Sequence, residues 1–172
     1  MNAISRPILA SPLSYMLADI SDAARMARRD VEVARAIAPY LGQPNLLAGR
    51  DCPCNPDRYC RHLLYNDSEG GYAVVAIVWR PGQMSPVHAH RAWCALGIHR
   101  GWLSETFFAR QGSVVTPTGC AARAAGATSH AAADPDTIHR LANLGTEEAV
   151  SIHVYGVAFD RFGDGVNEVY AA

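Results

Sequence analysis

The stretch Tyr72–His90, YAVVAIVWRPGQMSPVHAH, decides how the rest of the chain is read. Its first eight residues are β-branched, aromatic or small and apolar. They are bounded by Gly70-Gly71 and Pro81-Gly82, the punctuation of a buried strand. The stretch ends in His88-Ala89-His90. In a strand, alternate side chains share a face, so an H-x-H pair projects two imidazoles together. Two such imidazoles chelate a borderline metal such as Fe, Zn, Cu or Ni. Standing alone, H-x-H is also how two surface histidines look, so its surroundings carry the argument.

Downstream, Trp93–Phe108 reads as two short strands around the turn Arg100-Gly101. Thr137–Leu144 and Ala149–Val157 read as two more, around Asn143–Gly145. Short strands at roughly 10-residue spacing predict an all-β barrel or sandwich. The segment Gln111–Asp136 is rich in Ala, Gly, Thr and Ser and carries no readable pattern. Upstream, Leu17–Leu41 is dense in Ala, Arg, Met, Glu and Leu, which favour helix. Ser21 or Asp22 is expected to cap a helix through Arg29, and Asp30 a second through Tyr40. Gly42, Pro44 and Gly49 break that pattern, and Asp51–Pro56 is a loop. The expectation is one domain over residues 1–172, with a helical segment at about 17–41 and a β-barrel at about 59–160.

The bulk numbers narrow the function classes. Of 172 residues, 49% are hydrophobic and 18% charged, a globular balance that excludes a disordered chain. Fifteen Lys+Arg against 16 Asp+Glu leave a net charge of -1, so no global field steers the chain onto nucleic acid or an acidic membrane. No run approaches the roughly 18 apolar residues of a membrane span. Residues 1–17 lack the charged start and apolar core of a signal peptide. The 5 Cys are an odd number in a chain large enough to build its own core. Reduced thiols and a cytoplasmic setting are expected.

Three features now combine. Gly82 precedes His88 in a G-x5-H-x-H pattern, Gly101 follows a strand later, and His139 precedes Asn143 in H-x3-N. Together they resemble the two signature motifs of the cupin superfamily, a double-stranded β-helix of the jelly-roll kind. In cupins the first motif supplies two His and a Glu, and the second another His. His88, His90 and His139 match the histidines. The Glu position falls at Cys94 or Ala95, neither an oxygen ligand. Three neutral imidazoles leave a divalent metal its full charge, with open positions for an anionic thiolate and for dioxygen.

Four segments extend the resemblance to one cupin branch, the cysteine dioxygenase family, over Tyr59–Asp160. Tyr59-Cys60-Arg61 is similar to its Tyr-x-Arg, Pro86–His90 to its metal-binding turn, and Thr137–Arg140 to its third-ligand segment. Ser151-Ile152-His153-Val154-Tyr155 is similar to its Ser-x-His-x-Tyr triad. The resemblance implies a mononuclear non-haem Fe(II) enzyme that adds both atoms of O2 to a small-molecule thiol, giving a sulfinate. His88, His90 and His139 would be the ligands, and Ser151, His153 and Tyr155 would form the outer sphere. The alternation places this trio on one strand face, where it can form a hydrogen-bond chain.

Arg61 matches the arginine that holds the substrate carboxylate in the cysteine-oxidising branch, by a two-pronged hydrogen bond. In the branch oxidising 3-mercaptopropionate, Gln commonly stands there and a downstream Arg serves instead; Arg161 lies downstream here. Two such arginines would suit mercaptosuccinate. The segment His90-Arg91-Ala92-Trp93 resembles the bacterial mercaptopropionate branch more than the animal enzymes. Ala89 stands where the family often has Asp. Cys94 lies near the cysteine that crosslinks to the active-site Tyr in animal enzymes, which leaves a Cys94–Tyr155 thioether open. A non-enzymatic cupin that binds a metal or small ligand is the alternative from another class, and a cupin dioxygenase or isomerase on a non-thiol substrate is the enzymatic one. His62, His99 and His130 fall outside the motifs. Cys52-Pro53-Cys54 with Cys60 lacks the paired C-x2-C spacing of a zinc site.

Overall fold

Helix α1 (Pro12–Ala23) begins with a reciprocal cap. Ser11 Oγ accepts from the Ser14 amide at 3.1 Å, and Ser14 Oγ accepts from the Ser11 amide at 2.8 Å. Pro12 takes the first helical position, where a missing N–H costs nothing. The computed structural model describes residues 11–171. Helix α2 spans Arg29–Ile37, followed by a 3-10 turn at Ala38–Tyr40. The expected starts at Ser21 or Asp22 and at Asp30 are therefore corrected. Asp22 lies in the last turn of α1, and Asp30 lies inside α2. Helix propensity runs evenly through this segment and does not mark the break. The Ser11-Pro12 start signal lies upstream of it.

Ten strands follow among the described residues: β1 (Cys60–Asp67), β2 (Tyr72–Trp79), β3 (Val87–His90), β4 (Cys94–Arg100), β5 (Trp102–Gln111), β6 (Val114–Ala124), β7 (Thr128–Ala131), β8 (Asp134–Ala142), β9 (Ala149–Tyr155) and β10 (Asn167–Tyr170). A short helix, α3 (Phe162–Val166), precedes β10. The strands form two antiparallel five-stranded sheets, ordered β1-β2-β9-β4-β7 and β10-β3-β8-β5-β6. This is the mainly β, double-stranded β-helix architecture with N-terminal helices that the sequence leads one to expect. No helix among the described residues is long and apolar enough to cross a membrane.

Side-chain parity explains how the strands are used. Every residue of β2 and β9 is buried. On one face, Val74, Ala76, Ile152 and Val154 pack against Leu13, Met16 and Ile20 of α1 and Val33 and Ile37 of α2. On the other, Val75, Ile77 and Trp79 join Leu96, Ile98, Leu103, Leu141 and Tyr155 inside the barrel. Each fully buried Ile or Leu contributes roughly 2 kcal/mol to these cores. Gly97 lets the helical layer seat closely: a Cβ there would lie 2.5 Å from Leu41 Cδ1. Gly101 makes the β4–β5 turn at φ +71, a conformation L residues rarely adopt.

The unreadable segment Gln111–Asp136 forms β6, β7 and the start of β8. Strand β6 is an edge strand exposed on most of its length, so no alternation is imposed on its sequence. Pro135-Asp136 lie inside β8. The barrel also extends past residue 160, because β10 pairs with β3.

Candidate metal centre and its pocket

His88 and His90 project from the same face of β3, and His139 from β8, the neighbouring strand. His88 and His139 are register partners across the two strands. The ring centroids are 4.7 to 5.0 Å apart, all three residues are buried, and their ligating nitrogens lie within 4.8 Å of one another. Among the described residues this is the one group of His, Cys, Asp or Glu side chains that can hold a metal ion. Cys52, Cys54 and Cys60 form no such group, and all five cysteines are free thiols.

The protonation state suits ligation. Burial, and then the neighbouring His139, pushes His88 down to about 4. Burial and then the same neighbour hold His90 well below the usual imidazole range. Both rings are therefore neutral near pH 7. His88 Nδ1 is 2.9 Å from the Pro86 carbonyl, so it carries the hydrogen and leaves Nε2 bare. His139 Nε2 and His90 Nδ1 are buried nitrogens without a hydrogen-bond partner among the described residues. An unpaired buried polar atom is costly unless something satisfies it. A borderline divalent metal does so for a neutral imidazole, and the residues fit one.

Ser151, His153 and Tyr155 line up on the inner face of β9, which pairs with β2 and β4. Ser151 Oγ is 2.9 Å from His153 Nε2, and His153 Nδ1 is 3.1 Å from the Tyr155 hydroxyl. Trp79, whose indole N–H can only donate, reaches Ser151 Oγ at 2.9 Å and extends this chain. Tyr155 lines a cavity beside the three imidazoles. Burial, then Arg61, holds His153 well below its usual range, so this relay is neutral. Burial, then the adjacent Cys94, raises Tyr155, so its hydroxyl keeps its proton. Cys94 is the register partner of Tyr155 across β4 and β9, and both are buried.

Arg61 lines the mouth of that cavity. Its guanidinium lies over the Tyr59 ring at 5.3 Å, and Nη2 donates to the Tyr59 hydroxyl at 3.3 Å. Tyr59 stacks on Trp79 at 4.5 Å, so the arginine and the relay share one support. Arg61 is exposed and has no carboxylate partner among the described residues. The cavity that Arg61 lines together with His153 and Tyr155 is about 10 Å³, room for about one water. Arg161 sits on the exposed turn Phe159–Arg161 and is not among the residues lining it.

The sequence reading missed further residues at this site. Asn167 of β10 lines the same cavity, with a buried Oδ1 that has no partner among the described residues. Glu105 of β5 is 1% exposed and touches His139 Nδ1 through Oε1 at 2.9 Å. Burial pushes the Glu105 carboxyl up, but its bonds to His139 and Arg123 outweigh this and lower it on balance. The expected ligand set without a carboxylate stands, since the three histidines alone form the metal-holding group; the Glu105 carboxylate stands behind His139. Its signal was the inward parity it shares with Leu103, since a lone inward carboxylate is costly unless paired. Of the histidines outside the motifs, His62 faces the Pro53 carbonyl, His99 accepts from the Gly42 amide, and His130 pairs with Asp30.

A family model for cysteine dioxygenase type I matches residues 4–163. The chain belongs to that family. Membership together with the buried three-His group points to a metal-dependent dioxygenase acting on a small molecule. Among solved structures, the chain is similar to the protein TT1209 from Thermus thermophilus, at 17% identity over 60% of this chain and 87% of that one, with a TM-score of 0.48. It is also similar to a protein with a double-stranded β-helix domain from Klebsiella pneumoniae, at 18% identity over 70% and 90%, with a TM-score of 0.46. An oxalate oxidase in complex with glycolate is similar at 17% identity over 67% of this chain and 64% of that chain, with a TM-score of 0.46.

Proposed function

We propose that this chain is an Fe(II)- and O2-dependent thiol dioxygenase that converts a small carboxylate-bearing thiol to its sulfinate. One observation carries the reading: a buried three-imidazole group, a hydrogen-bond chain ending at Tyr155 and an arginine with no carboxylate partner among the described residues all line one cavity. His88, His90 and His139 would hold the iron. When bound, iron(II) supplies the redox chemistry that joins dioxygen to sulfur. The chain's own residues do the rest. Arg61 takes the carboxylate by two parallel hydrogen bonds, swinging from its rest position over Tyr59 as the substrate enters. Tyr155 points its hydroxyl proton at the reacting atoms, held in line by His153, Ser151 and Trp79. Buried walls keep bulk water from the thiolate.

A single arginine on the cavity supports a monocarboxylate over mercaptosuccinate, because Arg161 lies off it. Between cysteine and 3-mercaptopropionate, the unpaired Asn167 oxygen favours cysteine, whose α-ammonium can donate to it. The buried Cys94–Tyr155 register pair supports a thioether between them. The test is oxygen uptake by the chain reconstituted anaerobically with Fe(II), using cysteine, 3-mercaptopropionate and mercaptosuccinate in parallel. Uptake with formation of the sulfinate is expected, fastest with cysteine. No uptake with any thiol overturns the proposal.

A further inference from the structure

Glu105 lies in the middle of three strands. Across β5 and β8 its direct partner is Leu141, and His139 is the diagonal neighbour on the same face. Across β5 and β6 its direct partner is Ala121, and Arg123 is the diagonal neighbour. Diagonal neighbours are within reach of long side chains. Oε1 accepts from His139 Nδ1 at 2.9 Å and from the Ser129 hydroxyl at 3.0 Å, while Oε2 accepts from Arg123 Nε at 2.8 Å.

We infer that Glu105 is a positioning residue for the metal: it fixes His139 as the Nδ1–H tautomer and aims its Nε2 into the site, sharing its charge with Arg123. This rests on the reading that the triad holds a metal. A carboxylate can only accept, so the hydrogen must sit on Nδ1. The opposite nitrogen is the one left buried and unpartnered. A carboxylate behind a ligating imidazole also raises its basicity. The three ligands are therefore unequal. His88 is backed by a neutral carbonyl, His90 Nδ1 has no partner among the described residues, and His139 is backed by an anion. A plain ion pair between β5 and β6 needs only Arg123; it does not need the second oxygen turned onto His139.

The test uses the full chain stripped of metal, titrated with Co(II) against a competing chelator, together with the Fe(III)/Fe(II) potential of the iron-loaded form. Glu105→Gln keeps the size and an acceptor oxygen but loses the charge. It is expected to weaken Co(II) binding roughly tenfold to hundredfold and to raise the potential. Arg123→Gln leaves the Glu105–His139 bond and removes the competing cation; it is expected to lower the potential without weakening Co(II) binding. Unchanged affinity and potential in Glu105→Gln overturn the inference. So does Arg123→Gln weakening Co(II) as much as Glu105→Gln does, which would make the network a strand clasp only. If Glu105→Gln does not fold, Arg123→Gln decides: a lowered potential supports the inference and an unchanged one overturns it. A wild-type chain that binds no divalent metal overturns it as well. A chain that binds metal with this Glu105 dependence but consumes no oxygen with any thiol overturns the proposed function and leaves this inference standing.

Discussion

Two polar networks reach the three imidazoles, one along β9 and one centred on β5. The β9 network, from Trp79 through Ser151 and His153 to Tyr155, carries no charge and ends at a hydroxyl on the cavity. The β5 network, from Arg123 through Glu105 to His139, is an ion pair and ends in a bare nitrogen. The difference separates two tasks. A neutral chain can fix the place of a proton without drawing charge into the pocket. A charged chain behind a ligand sets how firmly that ligand donates, and the cation at its far end keeps the buried anion tolerable. Substitutions in the first network should alter turnover and spare metal binding; substitutions in the second should alter the affinity or the potential of the metal.

The largest effect is expected at the end of the charged network. His139→Ala removes one of three donors, and metal retention after gel filtration should be lost; full stoichiometry in that variant would mean the ligand set is wrong. At the end of the neutral network, Tyr155→Phe should lower kcat roughly a hundredfold while Co(II) affinity stays at the wild-type value. A parallel fall in affinity would erase the distinction between the two networks. Arg61→Ala belongs to neither. It should raise KM for a carboxylate thiol by about tenfold or more, with kcat and the urea midpoint little changed. Equal KM values for wild type and variant would move the carboxylate site elsewhere. The smallest effect is expected at Trp79→Phe. The ring contact with Tyr59 is kept, the donor to Ser151 is lost, and about 1 kcal/mol of stability goes with it in a urea titration. No change at all would mean that the relay does not begin at the indole.

The neutral network was legible in the sequence and most of the charged one was not, for a physical reason. Ser151, His153 and Tyr155 alternate within one apolar strand, and His88 and His90 do the same, so period-2 parity exposes them. The Glu105 network joins four strands, by diagonal contacts to β8 and β6 and across the barrel to β7, and two of its members, Arg123 and Ser129, lie on β6 and β7 in the segment that showed no pattern. Strand pairing creates that neighbourhood, and nothing in the local order of residues announces it. The fold class was legible from strand spacing and the His motifs. The helix limits were not, because propensity is even across Leu17–Leu41 and the decisive cap is at Ser11. Asn167 lay beyond the expected barrel, on a strand too short to show alternation.

The burial of β2 and β9 on both faces also bears on when the site comes into being. Trp79 and Ser151, joined by one hydrogen bond, are 72 positions apart in the chain, and Glu105 and His139 are 34 apart. Closing loops of that length comes late relative to local hairpins such as β5–β6. A nascent or partly folded chain has its histidines but no relay to direct a proton and no helical layer to seal the wall. The constellation is complete only once the remote halves of the sequence have met.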